Sequence, residues 1–250
     1  MKRFGLVGFP LSHSFSKKYF EKKFEKLGLS NTHRYDLLEV EYLKDFPSLW
    51  ERYPDLEGVN VTIPHKINII PFLDMLDASV HKVSAVNVVK KQGNKLVGYN
   101  SDIFGFRVSL ENWMNELGLA HVPPALILGS GGASLAVQTV LTDLRVDYEI
   151  ISRRTESADY LYTALIKEPH LMAEHPLIIN TTPLGMYPVV KDGPPIPYDK
   201  VTPDHLLFDL IYNPQETLFM KQGADRGAKT RNGLEMLKLQ AEKSWQIWNE

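Results

Sequence analysis

The chain has no cysteine among its 250 residues. That excludes disulfides, thiolate metal sites and thiol nucleophiles. Charge of one sign is not in excess: 28 Lys and Arg stand against 30 Asp and Glu, a formal net charge of −2. No nucleic acid or other polyanion partner is therefore implied. There is no run of 18 or so consecutive apolar residues, so no membrane span is expected. The stretch MKRFGLVGFP is too short in its apolar part for a signal peptide and moves straight into a turn. Internal repeats, low-complexity tracts and charge runs are also missing. What is present, 44% hydrophobic and 23% charged residues, is the composition of a soluble globular protein, with the cytoplasm as its expected location. The length suits one large domain or two small ones.

Hydrophobic patterning alternates strand and helix. FGLVGF reads as a buried strand, and PLSHSFS as a loop in which Ser16 is placed to cap a following helix. Phe20, Phe24 and Leu27 then fall at i, i+4 and i+7, one apolar face. HRYDLLEV and GVNVTI are further strands, while AVNVVKK and KLVGYN flank the turn residues QGN as a hairpin. A helix is predicted over residues 103–117, with Ile103, Phe106, Leu110, Trp113 and Leu117 on one stripe, closed by the linker HVPP. The second half restarts more cleanly. ALILGSGGAS is a strand entering a glycine turn, followed by a helix carrying Leu135, Val137, Val140 and Leu141. DYEIISRRT, PLIINTT and HLLFDLIY are strands, a helix is expected near residues 160–166, and a final helix from about Gly233 aligns Leu237, Ala241, Trp245 and Trp248. Such alternation predicts an α/β fold with mostly parallel sheets, in two domains joined near residues 102–121.

The glycine turn, Gly129, Ser130, Gly131, Gly132, Ala133 and Ser134, lies between a buried strand and a helix. A dinucleotide fingerprint requires that context: glycines admit the pyrophosphate, and the helix N-terminus offers free N–H groups. Alone, the same turn is also a tight strand-to-helix corner. A little over 20 residues on, where an acidic side chain would bind the ribose of NAD, stand Ser152, Arg153, Arg154 and Thr155. Two guanidinium groups suit a 2′-phosphate, which favours NADP; paired arginines also solvate strand ends.

Around NVTIPHK, residues 60–66, Val59, Val61 and Ile63 alternate with Asn60 and Thr62 as in a half-buried strand running into a helix, with Pro64 breaking the ladder. Taken alone, Lys66 is a surface charge, Asp102 an N-cap and Ser14 a loop or cap residue. Ser14, Ser16, Asn60, Thr62, Asn87, Asn100 and Asp102 nevertheless all lie at strand ends or beside apolar runs. Ligands of open α/β sheets bind outside the carboxyl ends of strands. Hydroxyls, amides and a Lys/Asp pair gathered there would suit a small polyhydroxylated acid, the lysine passing a proton to a developing alkoxide.

These segments together resemble the shikimate dehydrogenases of aromatic amino-acid (chorismate) biosynthesis. GFPLSHSFS is similar to that family's opening loop, NVTIPHK to its N-V-T-x-P-x-K signature, and AVNVV and GYNSDIFGF to its A-V-N-T and G-x-N-T-D-x-x-G segments. GSGGAS and SRRT resemble its cofactor turn and basic strand end; INTTPLGM, FDLIYNPQET and the NGLEML block with Gln240 and Ala241 follow in order. The resemblance implies a Rossmann-like NADP-binding domain, residues 104–230, and a discontinuous α/β substrate-binding domain, residues 1–103 and 231–250. It implies that Ser14 and Ser16 hold a substrate carboxylate with Tyr212 nearby. Thr62, Asn87 and Gln240 would meet ring hydroxyls or orient the acid. Lys66 and Asp102 would be the acid–base pair for NADPH-dependent reduction of 3-dehydroshikimate at C3. Gly233 would let backbone approach the nicotinamide, with Leu210 beside it, and Asn60 would brace the turn. Monomer and homodimer both remain open.

Three positions depart from the family pattern. Arg153 replaces the asparagine of a common N-R-T, which strengthens the preference for NADP, while Ser101 and Val88 each replace a threonine. The chain is also short for the family, as trimmed loops would make it. Rival expectations are a quinate dehydrogenase using NAD, a non-catalytic NADP-binding regulatory paralogue, and a folate-type NADP dehydrogenase. The arginine pair counts against the first, and the presence of both Lys66 and Asp102 against the second. A Ser/Thr/Asn/Gln-lined site fits a small polyol acid better than the large aromatic ligand of the third.

Overall fold

The structure, a computed structural model, describes residues 1–11 and 14–250; Ser12 and His13 of the opening loop lie outside the described residues. Backbone contacts divide the chain into one unit of residues 1–101 and 241–250 and another of residues 102–240. The division falls between Ser101 and Asp102 and again inside the C-terminal helix.

The first unit contains β1 (Lys2–Gly8), α1 (Phe15–Lys26), β2 (His33–Glu39), α2 (Leu49–Arg52), β3 (Leu56–Val61), β4 (Met75–Leu76), α3 (Ala78–Val83), β5 (Val88–Gln92) and β6 (Lys95–Tyr99). Its six-stranded sheet has the order β2-β1-β3-β5-β6-β4. β1 pairs in parallel with β2 and β3, whereas β5 runs antiparallel to both β3 and β6. The expected hairpin is present: β5 and β6 are joined by a turn in which Gly93 takes φ +60°, a conformation glycine adopts without Cβ strain.

The second unit contains α4 (Asp102–Glu116), β7 (Ala125–Leu128), α5 (Gly132–Asp143), β8 (Tyr148–Ser152), β9 (Tyr160–Leu161), α6 (Ala164–Lys167), α7 (His170–Glu174), β10 (Leu177–Asn180), β11 (Leu206–Asp209), α8 (Leu218–Ala224) and β12 (Lys229–Arg231). Then α9 (Leu234–Asn249) begins here, and its residues from Ala241 on belong to the first unit. The sheet order is β12-β11-β10-β7-β8-β9, with every pairing parallel. ALIL, LIIN and LLFD are unbroken apolar or near-apolar runs because central parallel strands are covered on both faces, and all four residues of each are buried. The predicted stripe of α4 packs as expected: Ile103, Phe106, Leu110, Trp113 and Leu117 join one core with Ile127, Ile179 and Phe208.

Several local expectations are corrected. Ser16 is not a cap; Ser14 holds the N-cap position of α1, without a side-chain cap bond, and Ser16 lies inside the helix. Leu27 closes α1 as its C-cap and is 49% exposed, so the buried face is Phe20 and Phe24. β3 is not half-buried: Val59, Asn60 and Val61 are all buried, the strand stops at Val61, and Ile63 is 66% exposed in the following turn. No helix follows at once; Lys66 stands in a turn. Residues 160–166 do not form one helix. Tyr160 and Leu161 pair with the end of β8 as a short edge strand, and α6 is a single turn.

Residues 241–249 of α9 complete the core of the first unit. Trp248 stacks on Phe4 with ring centroids 4.7 Å apart, and its indole N–H donates to the Val89 carbonyl over 3.1 Å. Gly58 makes room for it: a Cβ there would come within 2.5 Å of Trp248 Nε1. Burying such a ring contributes roughly 1.5–3 kcal/mol.

Candidate active site

In the first unit the polar residues gather where β1 and β3 end. The Thr62 N–H donates to the Val7 carbonyl, the Val61 N–H to the Asn87 carbonyl and the Val86 N–H to the Lys66 carbonyl, at 2.7–2.9 Å. Three segments distant in sequence thus set Thr62, Lys66 and Asn87 side by side. Lys66 and Thr62 are half-buried. Buried His65 fixes the turn from below, its Nε2 meeting the Val40 carbonyl at 2.5 Å. Asn100 donates to the Ala85 carbonyl over 2.8 Å, holding the end of β6 in the same place.

Beneath these residues runs a buried polar chain. The Tyr35 phenol donates to Asn60 Oδ1 (2.9 Å), Asn60 Nδ2 donates to Ser244 Oγ (2.8 Å), and Ser244 Oγ lies 3.2 Å from Ser101 Oγ. Asn87 accepts from the Ser101 N–H at 2.7 Å and donates to the Ser101 hydroxyl at 3.0 Å. Burial drives the Tyr35 phenol far above its ordinary range, against an opposing hydrogen bond with Ser16. It therefore stays protonated and can donate. Asn60 is more than a brace for its own turn, since it joins β3 to α9. Ser244 and Tyr35 were missed from sequence; a serine on the apolar face of the last helix was the available signal for the former. One hydroxyl stands apart: Ser14 Oγ is buried and has no hydrogen-bond partner. An unsatisfied buried hydroxyl costs about 1–3 kcal/mol, and an incoming acceptor would remove that cost.

In the second unit the glycine turn follows β7. Gly129 has φ +104°, and a Cβ on it would come within 2.9 Å of Thr181 and Thr182. Gly131 is the N-cap of α5, exposed, with no atom within 4 Å of where a side chain would begin. Open space over uncapped first-turn N–H groups is the form of an anion cradle. Ser130 Oγ lies 3.2 Å from Ser152 Oγ and 2.8 Å from Ser157 Oγ, tying the turn to the end of β8. Arg153, Arg154 and Thr155 follow there, all exposed. Neither arginine forms an ion pair with a carboxylate among the described residues. An open cradle beside unneutralised guanidinium groups fits a dinucleotide with a further phosphate.

Beyond β10 and β11 lies a polar cluster not foreseen from sequence. Asp209, fully buried, accepts from Asn180 Nδ2 (3.0 Å), the Ile211 N–H (3.0 Å) and the Thr217 hydroxyl (2.5 Å). Burial pushes its carboxyl up to about 6, against the pull of these three donors. Leu210 and Tyr212 flank the segment, and the Gly233 N–H donates to the Ile211 carbonyl over 3.0 Å. Leu210 and Gly233 lie against each other: a Cβ on Gly233 would sit 2.1 Å from the Leu210 carbonyl oxygen. Gln240 Nε2 donates to the Leu237 carbonyl of its own helix over 3.1 Å. Asp102 is buried and opens α4 as its first helical residue rather than preceding the helix.

This unit also has two open grooves, of about 490 and 610 Å³. The first is lined by Val122, Leu144 and Val146, just before β7 and β8 begin, at the end opposite the glycine turn. Among the described residues no cluster of His, Asp or Glu could hold a metal ion, and no helix is long and apolar enough to cross a membrane.

Residues 6–89 match the family model for the shikimate dehydrogenase substrate binding domain. A shikimate dehydrogenase (NADP(+)) of Methanococcus aeolicus is 37% identical over 259 residues, covering 99% of this chain and 91% of that one. A crystal structure of a shikimate dehydrogenase in complex with NADP+ superposes with a TM-score of 0.83 at 35% identity, covering 99% and 90% of the two chains. The Thermus thermophilus shikimate 5-dehydrogenase in complex with NADP(H) and shikimate gives 0.83 at 29% identity, covering 99% and 93%. Similarity that runs through both units and nearly the full length of each relative makes this chain a member of the shikimate dehydrogenase family.

Proposed function

We infer that the protein is an NADP-dependent shikimate dehydrogenase, reversibly reducing 3-dehydroshikimate to shikimate in the route to chorismate and the aromatic amino acids. Relatives named for that activity match over nearly their whole length, and a solved relative holds NADP(H) and shikimate together. The observation that carries the site assignment is the buried, partnerless Ser14 hydroxyl, in the opening loop of the unit where Thr62, Lys66 and Asn87 converge.

Ser14 and Ser16 donate to the substrate carboxylate, with Tyr212 at the same end. Thr62, Asn87 and Gln240 meet the ring hydroxyls. Lys66, oriented by Asp102, gives a proton to the C3 oxygen as that oxygen gains charge. When bound, the cofactor supplies hydride to the C3 carbon. Gly129, Ser130, Gly131, Gly132 and Ala133 receive its pyrophosphate. Ser152 and Thr155 border the pocket in which Arg153 and Arg154 take the 2′-phosphate, and Leu210 and Gly233 back the nicotinamide. Residues 1–103 and 231–250 serve as the substrate domain and 104–230 as the NADP domain, working in the cytoplasm on small molecules alone.

Absorbance at the NADPH band, followed with shikimate and with quinate, each with NADP and with NAD, tests the assignment. Fast turnover with shikimate and NADP alone is expected. Preference for quinate with NAD, or no turnover in any of the four, overturns it.

A further inference from the structure

The buried carboxylate of Asp209 has no place among the groups assigned to substrate or cofactor, yet it is the hub of the strand ends beside the glycine turn. Its Oδ1 accepts from two donors of different origin, the Asn180 amide at the end of β10 and the Ile211 backbone N–H just past β11. Its Oδ2 accepts the Thr217 hydroxyl, and Thr217 in turn caps α8 by accepting from the Met220 N–H. Asn180 passes the constraint on: its Oδ1 accepts from both the N–H and the hydroxyl of Thr182, at 3.0 and 2.7 Å. The neighbouring Thr181 hydroxyl donates to the Leu128 carbonyl beside Gly129. On the other side, Ile211 offers its carbonyl to the Gly233 N–H. One carboxylate therefore fixes the backbone at Leu210–Ile211 and, through it, the approach of Gly233.

Burial raises the Asp209 carboxyl to about 6, so its charged form is held at neutral pH at a cost to the fold. Strain of that kind is found where a site demands it. Only an ionised carboxylate accepts three donors without offering a proton of its own.

Resting on the proposed NADP-dependent activity, we propose that Asp209 is a positioning residue for the nicotinamide half of the cofactor: it holds the Leu210–Tyr212 backbone, and Gly233 against it, in the conformation that the ring lies on. It touches neither substrate nor cofactor. The adenosine end, held through its 2′-phosphate by Arg153 and Arg154 at the end of β8, lies outside the bonds that Asp209 makes.

The test measures dissociation constants for NADP+ and for adenosine 2′,5′-bisphosphate by calorimetry, on the full-length wild type, Asp209→Asn, Thr217→Val and Thr217→Ser. Asp209→Asn keeps the shape but not the charge; Thr217→Val removes one donor that Thr217→Ser retains. Loss of a hydrogen bond to a charged group corresponds to about tenfold or more in affinity. That loss is expected for NADP+ in Asp209→Asn and Thr217→Val, with adenosine 2′,5′-bisphosphate bound as by the wild type and Thr217→Ser close to wild type for both. Equal loss for the two ligands marks a merely structural role and overturns the proposal. So does wild-type affinity for NADP+ in Asp209→Asn, or Thr217→Ser behaving as Thr217→Val. If Asp209→Asn does not fold, the two Thr217 variants decide alone. A wild type that binds neither ligand refutes the proposed function instead.

Discussion

The Asn60 amide donates to the Ser244 hydroxyl over 2.8 Å, both groups buried, and so links β3 to α9 across 184 positions of sequence. Ser244→Ala leaves Asn60 and Ser101 each short of a partner. The free energy of unfolding should fall by about 1–3 kcal/mol, read from urea titration. An unchanged midpoint would mean that the two groups find other partners at no cost.

Ser14→Ala should behave in the opposite way. Its hydroxyl is buried without a partner, so removing it should leave the thermal midpoint unchanged or slightly raised. Shikimate affinity should nonetheless drop. Ser16→Ala, which also breaks the bond to the Tyr35 phenol, should weaken shikimate binding and stability together. Unaltered affinity in both variants would remove the pair from the carboxylate site.

Lys66→Ala should cut turnover by about two orders of magnitude or more, the scale of a general acid, while NADP+ binding measured by calorimetry survives. Near-normal turnover would end the assignment of Lys66 as proton donor.

Replacing Arg153 and Arg154 by glutamine should raise KM for NADP far more than for NAD, because both side chains are exposed at the end of β8 and form no ion pair with a carboxylate among the described residues. Equal effects on the two cofactors would show that neither arginine reads the 2′-phosphate.

The pH dependence of stability should carry the mark of Asp209. Its folded value is about 6 against an ordinary 3.8, a raised value, so its contribution is fully present below the unfolded value and lost as pH rises through about 6. The nearby Tyr198 phenol, itself pushed up by burial and in part by the Asp209 charge, stays protonated across this window. Between pH 4 and 7 the wild type should therefore lose about 2 kcal/mol relative to Asp209→Asn. A difference between the two proteins that does not vary with pH contradicts this.

The glycine turn, the parallel core strands and the α4 stripe were legible because each is local: a run, a period or a spacing. GSGGAS needs only its own neighbours to be understood. The Asp209 cluster was not legible, since Asn180, Asp209 and Thr217 are ordinary polar residues until β10 and β11 lie side by side. Residues 160–166 look helical by pattern, but pairing with the edge of β8 outweighs that pattern for Tyr160 and Leu161. Ile63 fits the alternation of β3 and is yet exposed, because the strand has already ended. Ser244 reads as a tolerated serine on an apolar face until Asn60 is opposite it.

Because Ala241–Glu250 group with residues 1–101, the segment that seats Trp248 on Phe4 leaves the ribosome only after the whole intervening unit has been made. The amino-terminal sheet must wait through that synthesis with its aromatic surface uncovered. Nascent chains stalled before Ala241 should accordingly be caught by chaperones or clipped by proteases, whereas the second unit, contiguous in sequence, can close on itself as it emerges.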